Sequence, residues 1–334
     1  MQEVPKPLRD TQHQEVKAQR YRCLRCGRTF RVYPIGVSRD HFSQRVKGLA
    51  VALYLLGLSY GAVSLLLEAL GLFMFMSKTL VYYTVREAAR KVPGMRREGV
   101  MEGVRVPALG SDVTSVKVKG KWYPIGVAVD AVSGLVLCGK AGRGGCADLE
   151  GVAATVAEAV GAELLVTDDA DAFKQVADDL GLPHQVCKSH VQRNTEQLVE
   201  ELRSLAKEDS DGSLRAIGVT PEQAVADLDR LKEVVRERQV EQGKELKAML
   251  ERYLGASPPQ EGEKASVAYR IRLLFWDRWN LWDRLTRYRS WRGRNGEQID
   301  GTTNAAERAI GGWVKGRYRR MRGYKREESA VNVS

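Results

Sequence analysis

Three carboxylates stand where the surrounding pattern offers them little ordinary use. Asp112 lies in "LGSDVTSVKV", an alternating stretch that reads as a half-buried strand, where β-branched or apolar residues are the usual occupants. Asp168 comes directly after the apolar run "LLVT" and so falls at the carboxyl end of another strand, the edge where α/β sheets usually build their sites. Glu307 sits in a short helical stretch that Thr302 or Thr303 can cap. Singly, each has a plain reading as a surface acid or a helix cap, and Asp169 or Asp171 could cap the helix after the strand as readily as Asp168. Gathered in one place, they could hold two divalent cations about 4 Å apart. Such a pair activates a water or a 3′-hydroxyl and stabilises the departing oxygen of a phosphodiester.

The segment after Glu307 fits a phosphate-bearing partner. Trp313 to Arg326 carries seven Lys/Arg and no acid, and Lys315, Arg317, Arg319, Arg320, Arg322 and Lys325 are the residues placed to neutralise a nucleic-acid backbone. The whole chain of 334 residues has 53 Lys+Arg against 42 Asp+Glu, a net charge of +11 that favours a polyanion. A membrane is the rival. Gly48 to Leu67 is a twenty-residue run without charge, long enough to span a bilayer. Gly57, Ser59, Tyr60 and Gly61 interrupt it as a turn, so it reads as two amphipathic segments, with no membrane partner expected. The first thirty residues are polar and charged and show no cleavable signal, which points to a cytoplasmic, nucleoid-associated protein. Five scattered cysteines argue against a disulfide framework.

These residues must be positioned by an α/β fold with four parts. Residues 1–40 are polar and contain Cys23-x-x-Cys26, half of a zinc ribbon: either a remnant without stable metal or a Zn2+ site completed elsewhere. Residues 41–98 read as helices at Ser43 to Leu56, Tyr60 to Leu70 and Lys78 to Lys91, with Gly71 ending the second and Ser77 capping the third. This is the layout of a helix-turn-helix with Lys78, Tyr82 and Arg86 turned to DNA, or of a plain three-helix bundle. From about Arg105 the period changes to two, giving three strands with turns at Lys119-Gly120 and Ser133-Gly134. Helices and strands then alternate through "HQVCKSH", read as a strand, to a helix beginning near Val191, making a mixed sheet with flanking helices. Residues 99–195 with 296–334 form this domain, and 196–295 read as an all-helical insertion. Trp276, Trp279, Trp282 and Trp291 near its end are core anchors or stacking platforms for unpaired bases.

Nearly the whole chain resembles the DDE transposases of prokaryotic insertion sequences. The matching stretches are "YRCLRCGRTF", the helix-turn-helix, "GSDVTSVKVKGKWYPIGVAVD", "VTDDADAFKQVADDLGLPHQVCKSHVQRN" and "TTNAAERAIGGWVKGRYRRMRGYK". The resemblance implies an RNase H-like catalytic domain and Asp112, Asp168 and Glu307 as a triad for Mg2+ or Mn2+, two ions. It also implies double-stranded DNA as substrate, at the element's terminal repeats and at the target, and a homodimer that pairs two ends. Thr303 and Asn304 would fix the start of the helix bearing Glu307, and Cys187-x-x-His190 would be a structural motif packed near the sheet or a metal half-site. Asp169 directly after Asp168 leaves the second acid open by one position. A nuclease without strand transfer and a non-catalytic DNA-binding remnant are the alternatives.

Overall fold

A computed structural model describes residues 2–70, 76–95, 103–141 and 147–320. They fall into two compact units, residues 1–102 with 116–123 and 311–334, and residues 103–115 with 124–310. The first unit opens with strands β1 (Gln2–Pro7), β2 (Glu15–Arg22) and β3 (Thr29–Val32), which form an antiparallel sheet in that order. Most of their side chains are exposed, so no apolar alternation marks these strands in the sequence. Cys23 and Cys26 occupy the β2–β3 turn, closed by the Gly27 N–H on the Cys23 carbonyl at 2.9 Å with Gly27 at φ 67°. Among the described residues, no third His, Cys, Asp or Glu joins them within metal-ligating reach.

Helices α1 (Gln44–Leu55), α2 (Tyr60–Ala69) and α3 (Lys78–Met95) come after these strands and pack about Val46, Tyr54, Val63, Leu67, Met76 and Val81. Each start is set by a serine. The hydroxyls of Ser43, Ser59 and Ser77 accept the amides of Val46, Ala62 and Leu80 at 3.2, 3.1 and 3.2 Å. Ser43 also donates to Asp10, whose carboxylate accepts the Gln12 N–H and pairs with Arg45. The uncharged run therefore breaks at Gly57, φ 107°, into two short helices. Among the described residues no helix is long and apolar enough to cross a membrane. Lys78 is exposed and Arg86 half-buried. Tyr82, read as facing DNA, is instead only 8% exposed, with its ring edge-on to Tyr60 at 5.5 Å. Gly71 lies outside the described residues.

The second unit is built on strands β4 (Ala108–Val118) and β5 (Lys121–Asp130), whose hairpin end at 116–123 is counted with the first unit, strand β6 (Val136–Ala141), helix α4 (Ala147–Val160), strand β7 (Leu164–Thr167), helix α5 (Asp171–Asp179) and strand β8 (His184–Val186). The sheet order is β6-β5-β4-β7-β8, with β6 antiparallel to β5 and with β7 and β8 parallel to their inner neighbours. Lys119 and Gly120, both at positive φ, give the β4–β5 hairpin its tight turn. Helices α6 (Lys188–Glu208), α7 (Ser213–Ala216), α8 (Pro221–Glu237), α9 (Gln242–Glu251) and α10 (Val267–Ser290) come next. Their core is continuous with the sheet edge: Val186 of β8 belongs to the same cluster as Leu228, Leu246, Phe275 and Trp282. Gln185 fastens α10 there, donating to the Leu285 carbonyl at 3.1 Å and accepting the Tyr288 N–H at 2.7 Å. Trp282 and Trp291 are core residues, Trp279 is half-buried and Trp276 is exposed.

The chain ends its described course in α11 (Asn304–Ala309), a π-helical turn (Ile310–Lys315) and α12 (Gly316–Arg320). Lys315 and Arg319 are exposed. Arg317, read as a phosphate contact, is corrected. It is 4% exposed, stacks its guanidinium on Tyr54 at 3.6 Å and donates to the Tyr54 carbonyl, so its charge is spent inside the first unit. The Arg320 side chain lies outside the described residues, as do Arg322 and Lys325. A desolvated cation–π contact contributes about 2 kcal/mol, so Arg317→Ala should lower the thermal midpoint by roughly 4 °C or more. Arg319→Ala should leave it nearly unchanged. Differential scanning fluorimetry of the two variants makes the comparison.

Candidate active site

The parallel register of β4, β7 and β8 sets out the site. Gly110 pairs with Val166, and Thr167 pairs with Val186. Two residues beyond Gly110 and Val166 stand Asp112 and Asp168, and one beyond Thr167 and Val186 stand Asp168 and Cys187. The paired register itself ends at Gly110 with Val166 and at Thr167 with Val186. The Cys187 N–H bonds the Thr167 carbonyl at 2.7 Å, which holds the row together at its far end. Thr167 is itself fixed from behind: its hydroxyl donates to the Asp168 carbonyl at 2.8 Å and lies 2.9 Å from His184 Nε2. His184 Nδ1 accepts from Arg284 at 3.0 Å, so Nε2 carries the proton. Burial and the Arg284 cation push the His184 pKa down to about 3, keeping the ring neutral.

The charges of Asp168 and Glu307 both act on Asp112. The Asp112 carboxyl is raised above the usual carboxylate range, first by burial and then by the charges of Asp168 and Glu307, against a lowering bond from the Val113 N–H and the pull of His190. Asp169 faces elsewhere. It pairs with Lys174 at 2.8 Å, and its charge acts on Asp277 and Arg278. Asp168 Oδ1 accepts the Ala170 N–H at 3.3 Å, and α5 has no side-chain cap from it or its neighbours.

Glu307 reaches this row through a close contact that the sequence does not advertise. The Lys188 N–H bonds the Gly301 carbonyl at 2.9 Å, and Gly301, at φ 73°, sits so close to Tyr288 that a Cβ would meet its ring at 2.7 Å. That contact lays the loop before α11 across the start of α6. Helix α6 begins at Lys188, with Cys187 as its N-cap residue, not near Val191, so "HQVCKSH" is strand only through Val186 and His190 stands in the first helical turn. Thr303 occupies the N-cap of α11, yet its hydroxyl makes no capping bond. It lies 3.3 Å from Cys187 Sγ and 3.1 Å from Glu307 Oε1, and its N–H is 3.4 Å from the same sulfur. Asn304 is exposed, its N–H bonded to the Thr302 hydroxyl at 3.3 Å. His190 Nε2 is 3.6 Å from Glu307 Oε1, and its Nδ1 is buried without a hydrogen-bond partner. One thiol, one imidazole and the Glu307 carboxylate thus lie within 4.8 Å of one another, a group that does not include Asp112 or Asp168.

A family model described as Transposase IS66 family matches residues 150–330, more than half of the chain. The chain belongs to the IS66 transposase family. Comparison with curated proteins returns no match. Membership in the IS66 family indicates a transposase function and, with it, DNA as partner. The matched IS66 segment carries Asp168, Cys187, His190 and Glu307, while Asp112 precedes it.

Two stability measurements test this geometry. A carboxyl whose folded pKa is raised costs stability once the unfolded chain ionises above about 3.8. Asp112→Asn should thus raise the metal-free melting midpoint at pH 7, by roughly 2–4 °C for each kcal/mol relieved, with the gain shrinking as pH falls toward 4. A scan of midpoint against pH reads this sign. Gly301→Ala, forced into positive φ against an aromatic ring, should lower the midpoint by several degrees.

Proposed function

We propose that this IS66-family chain binds the ends of its element as double-stranded DNA, hydrolyses a phosphodiester to expose a 3′-hydroxyl, and directs that hydroxyl onto target DNA. What supports the reading is that Asp112 on β4 feels the charges of both Asp168, just after β7, and Glu307, in α11. Mutual repulsion among carboxylates is the condition a divalent cation relieves, and an all-oxygen set suits Mg2+ or Mn2+. Bound there, two such ions would polarise the attacking water or hydroxyl and neutralise charge on the departing oxygen. An RNase H-like fold is supported by the mixed sheet, with Asp168 just after β7 and Asp112 on β4, the strand paired parallel to β7.

The chain's own groups supply the rest. Asp112 and Asp168 share and space the cations, and Glu307 completes the second site from α11. Lys315 and Arg319 contact phosphates, and Lys78 and Arg86 do so on α3, read as the second helix of a helix-turn-helix. Pairing two element ends calls for two copies of the chain.

The test is cleavage of an oligonucleotide carrying the element's terminal sequence, with Mg2+ and with Mn2+. Losing a metal's outer-shell partner costs 10–100-fold, so loss of a direct ligand in Asp112→Asn, Asp168→Asn or Glu307→Gln should cost at least ~100-fold while DNA binding persists. Asp169→Asn should stay within ~10-fold of the parent. Full cleavage by both Asp112→Asn and Glu307→Gln would end the triad assignment. Cleavage without joining of 3′ ends would leave a nuclease, and binding without cleavage a DNA-binding remnant.

A further inference from the structure

The thiol and imidazole beside Glu307 are not used by a hard-ion mechanism, and their placement points to a second metal chemistry. Ligand atoms of Cys187, His190 and Glu307 all lie within 4.8 Å of one another. A tetrahedral Zn2+ with bonds of about 2.0–2.3 Å separates its ligands by roughly 3.3–3.8 Å. The 3.6 Å between His190 Nε2 and Glu307 Oε1 falls in that range and is too long for a hydrogen bond. The imidazole is not committed elsewhere, since Nδ1 has no hydrogen-bond partner. The sulfur accepts the Thr303 N–H at 3.4 Å, the kind of outer-shell donation that orients and tunes a metal-bound thiolate, while the Thr303 hydroxyl, 3.3 Å from the sulfur, donates to Glu307 Oε1 at 3.1 Å. Cys187 and His190 share the first turn of α6, and Glu307 comes from α11, giving three protein ligands with a fourth position left open.

We propose that Cys187, His190 and Glu307 form a site for Zn2+ and chemically similar ions such as Co2+, and that filling it withdraws Glu307 from the carboxylate cluster. One carboxylate then serves two exclusive sites. With Asp112 and Asp168 it makes an all-oxygen set for Mg2+ or Mn2+. With sulfur and nitrogen it makes a set for a softer ion, which silences cleavage. The inhibitory half of this inference rests on the proposed cleavage function, whereas the binding half does not.

The first experiment is a Co2+ titration of the full chain carrying Cys23→Ser and Cys26→Ser, which removes the other thiol pair from the spectrum. The parent should show a thiolate-to-cobalt charge-transfer band with tetrahedral visible bands, saturating at one ion per chain and displaced by Zn2+. Cys187→Ser should lose the charge-transfer band, and His190→Ala should weaken binding at least ~10-fold. Asp112→Asn should keep the band, which separates this site from the hard-ion cluster. No band in the parent, or a band that survives Cys187→Ser, overturns the proposal. The second experiment measures Mg2+-dependent cleavage against added Zn2+, each protein referred to its own zinc-free rate. The parent should be inhibited, and Cys187→Ser should need at least ~10-fold more Zn2+ for the same fractional loss. Equal sensitivity in both proteins would sink the inhibitory role. If no protein cleaves DNA, the cobalt spectrum still decides the binding site, and the failure belongs to the cleavage reading.

Discussion

The register between β4, β7 and β8 is the constraint on which the second unit depends. A slip by one residue between β4 and β7 would turn one strand's core-facing side chains to the other face of the sheet and carry Asp112 with them. Several bonds outside the strands resist that slip. The Cys187 amide on Thr167 pins β8 to β7, and the chain of Arg284, His184 and Thr167 fixes the end of β7 from behind. Gln185 then ties β8 to α10 through both ends of its amide. The short strands β7 and β8 are thus held by buried polar bonds as much as by their apolar side chains, and buried polar groups of this kind are strongly position-specific because an unmet partner is costly.

The site is an arrangement at odds with its own stability. Burial and two neighbouring negative charges work against the ionised Asp112, and the fold keeps it because the surrounding strands over-determine its place. Such repulsion is stored free energy that a cation can release, so under the proposed mechanism affinity for the ion and instability without it have the same cause.

Much of this is open to sequence reasoning because it rests on local pattern. Alternation marks β4 and β5, the run before Asp168 marks β7, and serine caps mark α1 to α3. The parts that escape depend on contacts between distant residues. Thr303 touches Cys187 across 116 positions, and no spacing rule announces that. Pattern misplaces the beginning of α6 because Cys187 to His190 has no apolar period, although Cys187-x-x-His190 and Glu307 each stand out alone. Residue type assigns Tyr82 and Arg317 to a DNA-facing surface, yet an aromatic ring and a guanidinium are also good packing material, and both are buried. The N-terminal strands carry too few buried side chains to print an alternation.

The order of these pieces along the chain has a consequence during synthesis. α1 to α3 are complete by Met95, and Asp112 and Asp168 are in place before the long helical segment begins. Gly301 and Glu307 emerge only after α10 has been made, roughly 130 residues later. A ribosome-bound or prematurely released chain therefore carries the three-helix bundle and two of its three acids but cannot assemble the cluster. Closing the site has to wait until α10 and the loop before α11 have been made.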